Sequence, residues 1–234
     1  MGDITTFPSS TQLIVGPGFK KAHLPAYPVN KDSPLLQRDF EDRNVREVDI
    51  VAEGKGLKIG RFHAYDYFGD GSFYLLDTPG HAPAHMCGLA RTTPDTFVFM
   101  GGDASHHGGE FRPSEYLPLP KEIKPSPMPH FPTCPGHYLQ DFNRHKSASK
   151  PYYQVKKAFA DNLHLCKWTI AGLQEFDAAD NVLLLVAHDN SVKDVLTLYP
   201  KSANDWREKD LAKKARWNFL ADFEAEFEDA LNKS

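Results

Sequence analysis

Cysteine is scarce: Cys87, Cys134 and Cys166 are the whole supply in 234 residues, an odd number with no paired spacing. Neither a disulfide framework nor a thiolate zinc site is expected, and the three thiols are read as reduced and structural. Long apolar runs are also missing. No stretch approaches the ~18 consecutive apolar residues of a membrane span, and residues 1–10 are too polar and too proline-bearing for a signal peptide. The expectation is a cytoplasmic protein with no membrane partner. Nor is there a basic run: Lys and Arg number 27 against 31 for Asp and Glu, a net charge of −4. The positive potential that a phosphate backbone requires is lacking, so nucleic acid is not an expected partner. With 41% hydrophobic and 25% charged residues the signature of disorder is absent as well. No internal repeat or boundary stands out, and residues 1–234 are read as a single domain with a substantial core.

Residues 12–15 form a short apolar run closed by Gly16-Pro17-Gly18, a strand ending in a turn. Residues 45–51, 57–68 and 72–77 are β-prone and separated by glycine-containing breaks, and residues 86–92 and 96–100 form a candidate hairpin about Pro94-Asp95. Up to Gly102 the chain reads as sheet. Eight of the eighteen prolines then fall between Pro113 and Pro135, too many missing N–H donors for a helix or an inner strand. Residues 113–150 are therefore expected to be a long irregular surface segment. Val155, Phe159, Leu163, Cys166, Ile170 and Leu173 recur at helical spacing, which predicts an amphipathic helix laid on a core. Residues 182–187 are a continuous apolar run and are predicted to be a central strand. A short helix over 191–198 and a closing helix over 210–231, with Phe219, Phe223 and Phe227 on one side, complete the reading.

Histidine is abundant, at eleven residues, and imidazole is the usual nitrogen ligand of transition metals. Three of the most apolar strands stop at residues of ligand type. Phe73-Tyr74-Leu75-Leu76-Asp77 runs into Thr78-Pro79-Gly80-His81, Phe97-Val98-Phe99-Met100 into Gly101-Gly102-Asp103, and Leu183-Leu184-Leu185-Val186-Ala187 into His188-Asp189. If these strands lie side by side and point the same way, His81, Asp103 and His188 meet on one rim of the sheet, where open sheets bind ligands. Two imidazoles and a carboxylate are a recurrent set for zinc or iron. Taken singly, each also fits a turn or surface role. Their conjunction is what points to a metal.

These residues resemble the second half of the metallo-β-lactamase superfamily. Thr78 to His85, then Gly101-Gly102-Asp103, then Ala187-His188-Asp189 match it in order and spacing, and the fuller stretches Phe73 through Arg91 and Gly101 through Pro113 are similar to the fungal branch of lactone- and lactam-opening hydrolases. The resemblance implies an α/β (α+β four-layer) fold, the αββα sandwich of two facing mixed sheets with helices outside. It also implies two zinc ions with His81 on the first, Asp103 bridging and His188 on the second. A hydroxide held by those ions would open a cyclic ester or amide of a small-molecule substrate. No protein nucleophile is needed.

One part of that pattern is missing. The superfamily's H-x-H-x-D-H segment, which supplies two ligands to the first metal and two to the second, occurs nowhere in the chain, and Gly2-Asp3 resembles the residues just past that segment. The sandwich is thus expected to lack part of its first sheet, and the chain to be amino-terminally truncated with reduced zinc affinity and stability. The rival reading is a non-catalytic remnant that binds metal weakly or not at all. A mononuclear iron enzyme is the weakest, because it too draws a His from the missing segment.

The remaining polar residues carry less. His85 reads as a packing or supporting residue behind His81, and His106 and His107 as either polar loop or pocket residues able to donate to a substrate carbonyl. Asp189 is expected to cap the helix near Ser191, Glu110 and Arg112 to be structural partners in their loop, with a clamp on a substrate carboxylate as the lesser alternative, and His130 and His137 to belong to a lid. Oligomeric state is not legible.

Overall fold

The computed structural model describes residues 3–128, 130–131 and 134–232. The reading of Gly2 as the residue after a missing motif lies outside the described residues. The chain runs β1 (Leu13–Val15), α1 (Phe19–His23), β2 (Val45–Glu47), α2 (Ile50–Glu53), β3 (Lys58–Ile59), β4 (Phe62–Asp66), β5 (Phe73–Asp77), β6 (Met86–Arg91) and β7 (Phe97–Met100). It continues through β8 (Glu122–Ile123), β9 (Cys134–Pro135), α3 (Gly136–Phe142), α4 (Leu163–Ala178), β10 (Val182–Leu185), α5 (Leu211–Ala215) and α6 (Glu224–Asn232). The architecture is α+β.

Its frame is a six-stranded mixed sheet in the order β10-β7-β6-β5-β4-β3. Neighbours from β3 to β7 pair antiparallel, and β10 pairs parallel to β7, with Val182 opposite Phe97 and Leu185 opposite Met100. Two antiparallel steps separate β5 from β7, so β5, β7 and β10 all point the same way. Their carboxyl ends share one rim. The run at 182–187 is not a central strand, however. It forms an edge, and its apolar character is explained by cover on both faces: Val182 and Leu184 lie in the main core, while Leu183 packs with Trp206 and Leu211.

Helix α4 backs the sheet. Its Cys166, Ile170, Leu173 and Phe176 meet Phe62, Leu76, Leu89 and Phe99 of the strands. The helix starts later than the apolar spacing predicts because the Asn162 side chain accepts the N–H of Leu165 and caps it there. Upstream, only a 3-10 turn, Lys157–Phe159, interrupts extended chain. On the other face, the sheet expected opposite amounts to β1 and β2, a parallel pair, and Ile14 packs there with Val48, Leu75 and Tyr65.

The proline-rich segment departs most from expectation. Within 113–150 the chain forms β8, β9 and α3, and Leu119, Ile123, Met128, Cys134 and Leu139 join Tyr152, Trp217, Phe219 and Phe227 in a second core. Proline there sets turns around a buried interior. That core also breaks the predicted closing helix, because Trp217, Phe219, Leu220 and Phe227 must all be buried. The chain accommodates them as α5, a 3-10 segment Asn218–Phe223 and α6. Only a 3-10 turn, Asn190–Val192, stands where a short helix over 191–198 was predicted, with Asp189 accepting the N–H of Ser191 at its start. All three cysteines are buried and free. Among the described residues no helix is long and apolar enough to cross a membrane.

Candidate metal centre

The turn after β5 is built against the start of α4. Gly80 has φ of 127°, and a Cβ placed on it would lie 2.1 Å from the backbone nitrogen of Cys166, so only glycine fits. The carbonyls of Gly80 and His81 accept the N–H groups of Asn162 and Asp161 at 2.9 and 3.0 Å, and the Thr169 hydroxyl donates to the Pro79 carbonyl at 2.7 Å. His81 is held in turn by its own ring, whose Nδ1–H donates to the Phe159 carbonyl at 2.9 Å. The lone pair is left on Nε2. A histidine whose second nitrogen is tied to a carbonyl is a pre-oriented metal ligand.

Asp103 is set by its neighbours in the same way. Its backbone N–H donates to Nε2 of His85 at 3.1 Å, and the Nδ1–H of His85 donates to the Thr78 carbonyl at 2.9 Å. Both His85 nitrogens are therefore occupied. Burial, as the largest cause, holds its pKa below the ordinary histidine value. His85 supports the site and offers no lone pair to it.

Around Asp103 three imidazoles gather. His188 Nε2 lies 3.0 Å and His106 Nε2 3.8 Å from Asp103 Oδ1. The His106 ring sits 4.9 Å from that of His81 and 5.5 Å from that of His188, nearly parallel to the latter. His81, Asp103 and His106 each offer a ligand atom within 4.8 Å of the others. His188 touches Asp103 but stands outside that cluster, at the end of β10 with φ of 66°. The structure thus brings the three residues of the strand-end reading to one rim and sets His106 among them.

The residues fit a cation. Asp103 Oδ1 and His106 Nδ1 are both buried without a hydrogen-bond partner. His188 Nε2 approaches that oxygen to 3.0 Å without forming a hydrogen bond to it. Buried acceptors are seldom left in that condition. A donor set of imidazole nitrogens and one carboxylate suits a divalent ion of zinc type.

The other candidates divide. Glu110 accepts the Ser105 hydroxyl at 2.8 Å and the His106 N–H at 3.0 Å, which pins the loop that carries His106. His107 Nδ1 accepts the N–H of Gly109 at 3.0 Å, and its Nε2 lies 3.1 Å from Asp222, which also accepts the Tyr153 hydroxyl at 3.0 Å. With both ring nitrogens engaged, His107 joins the loop to the carboxy-terminal segment. Arg112 turns away from Glu110: its guanidinium makes a two-point ion pair with Asp177, at 2.8 and 2.7 Å, in the interior. It is not placed to clamp a substrate. His130 and His137 border other surface hollows.

A cavity of about 700 Å³ opens beside the cluster, with His106, His107 and Glu110 on one wall and Phe142, Tyr153 and Phe223 on another. Asp222, Tyr153 and the Phe159 carbonyl were not singled out in the sequence. They belong to no motif and act only through distant contacts.

No family model matches the sequence. The chain is 46% identical over 226 residues to a metallo-hydrolase, mfmC, of Annulohypoxylon moriforme, across 95% of this chain and 58% of that protein. It is 45% identical over 228 residues to the γ-lactamase FDB1 of Fusarium pseudograminearum (strain CS3096), across 95% of this chain and 55% of that one. The chain therefore spans little more than half the length of these curated relatives. Among solved structures, an N-acyl homoserine lactone hydrolase with N-hexanoyl-L-homoserine bound at its catalytic metal center aligns with 82% of this chain and 53% of its own, at 14% identity and a TM-score of 0.47. Over nearly its whole length the chain is thus similar to curated proteins named as a metallo-hydrolase and a γ-lactamase.

Proposed function

We propose that the chain, like the metallo-β-lactamase superfamily it resembles, serves metal-dependent hydrolysis of a small cyclic ester or amide, a lactone or lactam. The observation that carries the reading is the convergence of His81, Asp103 and His188 at the ends of three like-directed strands, beside an aromatic-walled cavity. The similarity to a metallo-hydrolase and a γ-lactamase supports the same class. Zinc is the proposed ion, on the strength of the His and Asp donor set. When bound, it would supply a polarised carbonyl and an activated water.

The chain's own residues do the rest. His81, tied to the Phe159 carbonyl, and Asp103, tied to His85, present fixed donors. His188, the most exposed of the three, brings its Nε2 to 3.0 Å from the Asp103 carboxylate. The walls formed by Phe142, Tyr153 and Phe223 take the apolar body of the substrate. Glu110 holds the His106 loop against that cavity.

The 234 residues contain no H-x-H-x-D-H segment, so this chain holds its ion with fewer ligands, and affinity and turnover are reduced. The test is hydrolysis of a panel of γ-lactones and γ-lactams by the zinc-loaded chain, with chelated protein and Asp103→Ala as controls. Slow turnover that both controls abolish is the expected outcome. No turnover above the Asp103→Ala background on any substrate, with zinc bound, would favour the non-catalytic remnant.

A further inference from the structure

We infer that the substrate carries a carboxylate on its apolar body, and that Arg144, with Lys156 on the same cavity, binds that group. The inference rests on the hydrolase reading above and deepens it by naming the substrate class.

Three observations carry it. The first is size. The cavity beside His106 measures about 700 Å³, in the range of pockets that enclose a drug-sized molecule. A bare lactone ring leaves most of that space empty, so the substrate extends beyond the ring that opens, along the aromatic walls.

The second is an arginine without a partner. Among the described residues, every other arginine holds a carboxylate or a backbone carbonyl. Arg144 holds neither, and the Lys156 ammonium is equally unengaged, although both line the cavity and both are exposed. The backbone beneath them is fixed. Asn143, fully buried, donates its side-chain amide to the Lys150 carbonyl at 2.7 Å and accepts the His145 N–H at 2.8 Å, and Val155 is packed in the main core.

The third is that the acids of the cavity are already occupied. Glu110 accepts the Ser105 hydroxyl and the His106 N–H, and Asp222 accepts the Tyr153 hydroxyl and faces His107. A guanidinium fork matches a carboxylate at two points. A dianion such as a phosphate ester is disfavoured, because Glu110 and Asp222 share the cavity with it. A singly charged carboxylate at the exposed lip leaves the ring to reach toward His106.

The test is binding of 4-phenylbutyrate and of its uncharged amide to the metal-free chain, followed by nuclear magnetic resonance, with Arg144→Gln and Arg144→Lys compared. Without a metal, the carboxylate has no ion to coordinate. Expected is a preference for the carboxylate of at least about fivefold in the wild-type chain. Arg144→Gln should bring that ratio to about one, and Arg144→Lys should keep part of it, since charge remains without the fork. Both probes should move the ring resonances of Phe142 and Tyr153. Equal affinity for the two probes, a preference that survives Arg144→Gln, or unmoved ring resonances would overturn the assignment and leave the hydrolase reading standing. If no lactone or lactam is opened while the preference depends on Arg144, the hydrolase reading falls and the anion site stands.

Discussion

The imidazole of His85 bridges Thr78 and Asp103, donating from Nδ1 to the Thr78 carbonyl at 2.9 Å and accepting the Asp103 N–H on Nε2 at 3.1 Å. It couples the turn after β5 to the turn after β7, the two turns that bring His81 and Asp103 together. Gly102, with φ of 50°, leaves the ring room, because a Cβ there would lie 3.2 Å from Nε2.

Removing that bridge frees the Asp103 backbone without touching a donor atom. His85→Ala is expected to weaken zinc binding by about tenfold, and His85→Gln, which can still accept the Asp103 N–H, to recover part of it. Metal titration of the two variants checks this. Equal affinity for wild type and His85→Ala would remove the supporting role.

Acid should be felt at the same residue. His85 and His106 both have pKa values held below the ordinary histidine value, in each case chiefly by burial. Below about pH 6.5 the unfolded chain therefore binds protons that the native chain refuses, so stability rises with pH through that window and levels off above it. Urea unfolding of the metal-free chain between pH 5 and 8 should show that slope, and His85→Gln should flatten it. A slope unchanged by the substitution would contradict the assignment.

The second core is fastened to the first by Arg112 and Asp177, whose side chains are 6% and 4% exposed. Arg112 also donates to the carbonyl of Arg216 at 2.9 Å, and Arg216 donates to the carbonyl of Asp177 at 2.7 Å. Deleting Asp177 leaves the buried Arg112 charge uncompensated, and deleting Arg112 leaves Asp177 with only the longer 4.0 Å approach of Arg216. Arg112→Ala or Asp177→Ala should each cost about 3–5 kcal/mol, and an apolar pair at both positions less than either single change. Chemical denaturation of the three variants decides it.

Gly80 is the tightest point of the site. Any side chain there meets the first turn of α4. Gly80→Ala should destabilise by about 2–3 kcal/mol and displace His81, so that thermal unfolding and zinc affinity fall together. A variant that lost stability but kept its zinc affinity would show that His81 does not depend on this turn.

The rim where His81, Asp103 and His188 meet was legible because strand ends are local properties. Apolar runs that stop at Pro-Gly-His, Gly-Gly-Asp and Ala-His mark where β5, β7 and β10 finish, and their common direction follows from pairing. The place of β10 at the sheet edge was not legible, since a run covered by Leu211 and Trp206 reads like one flanked by strands. The helix start was misplaced because Val155 and Phe159 continue the apolar period by coincidence, while a single side chain at Asn162 sets the boundary. Proline density hid a core, because proline limits the backbone without saying which side chains turn inward. The partners of Arg112 and His107, which are Asp177 and Asp222, are distant in sequence and leave no mark in any local pattern.

The central claim is a metal site centred on Asp103. Its most direct measurement is the metal content of the chain after zinc loading and gel filtration, read by elemental analysis beside Asp103→Ala. About one equivalent of zinc in the wild-type chain and almost none in the folded variant is the result the account predicts. A wild-type chain that elutes without zinc, or an Asp103→Ala chain that keeps it, would contradict the account.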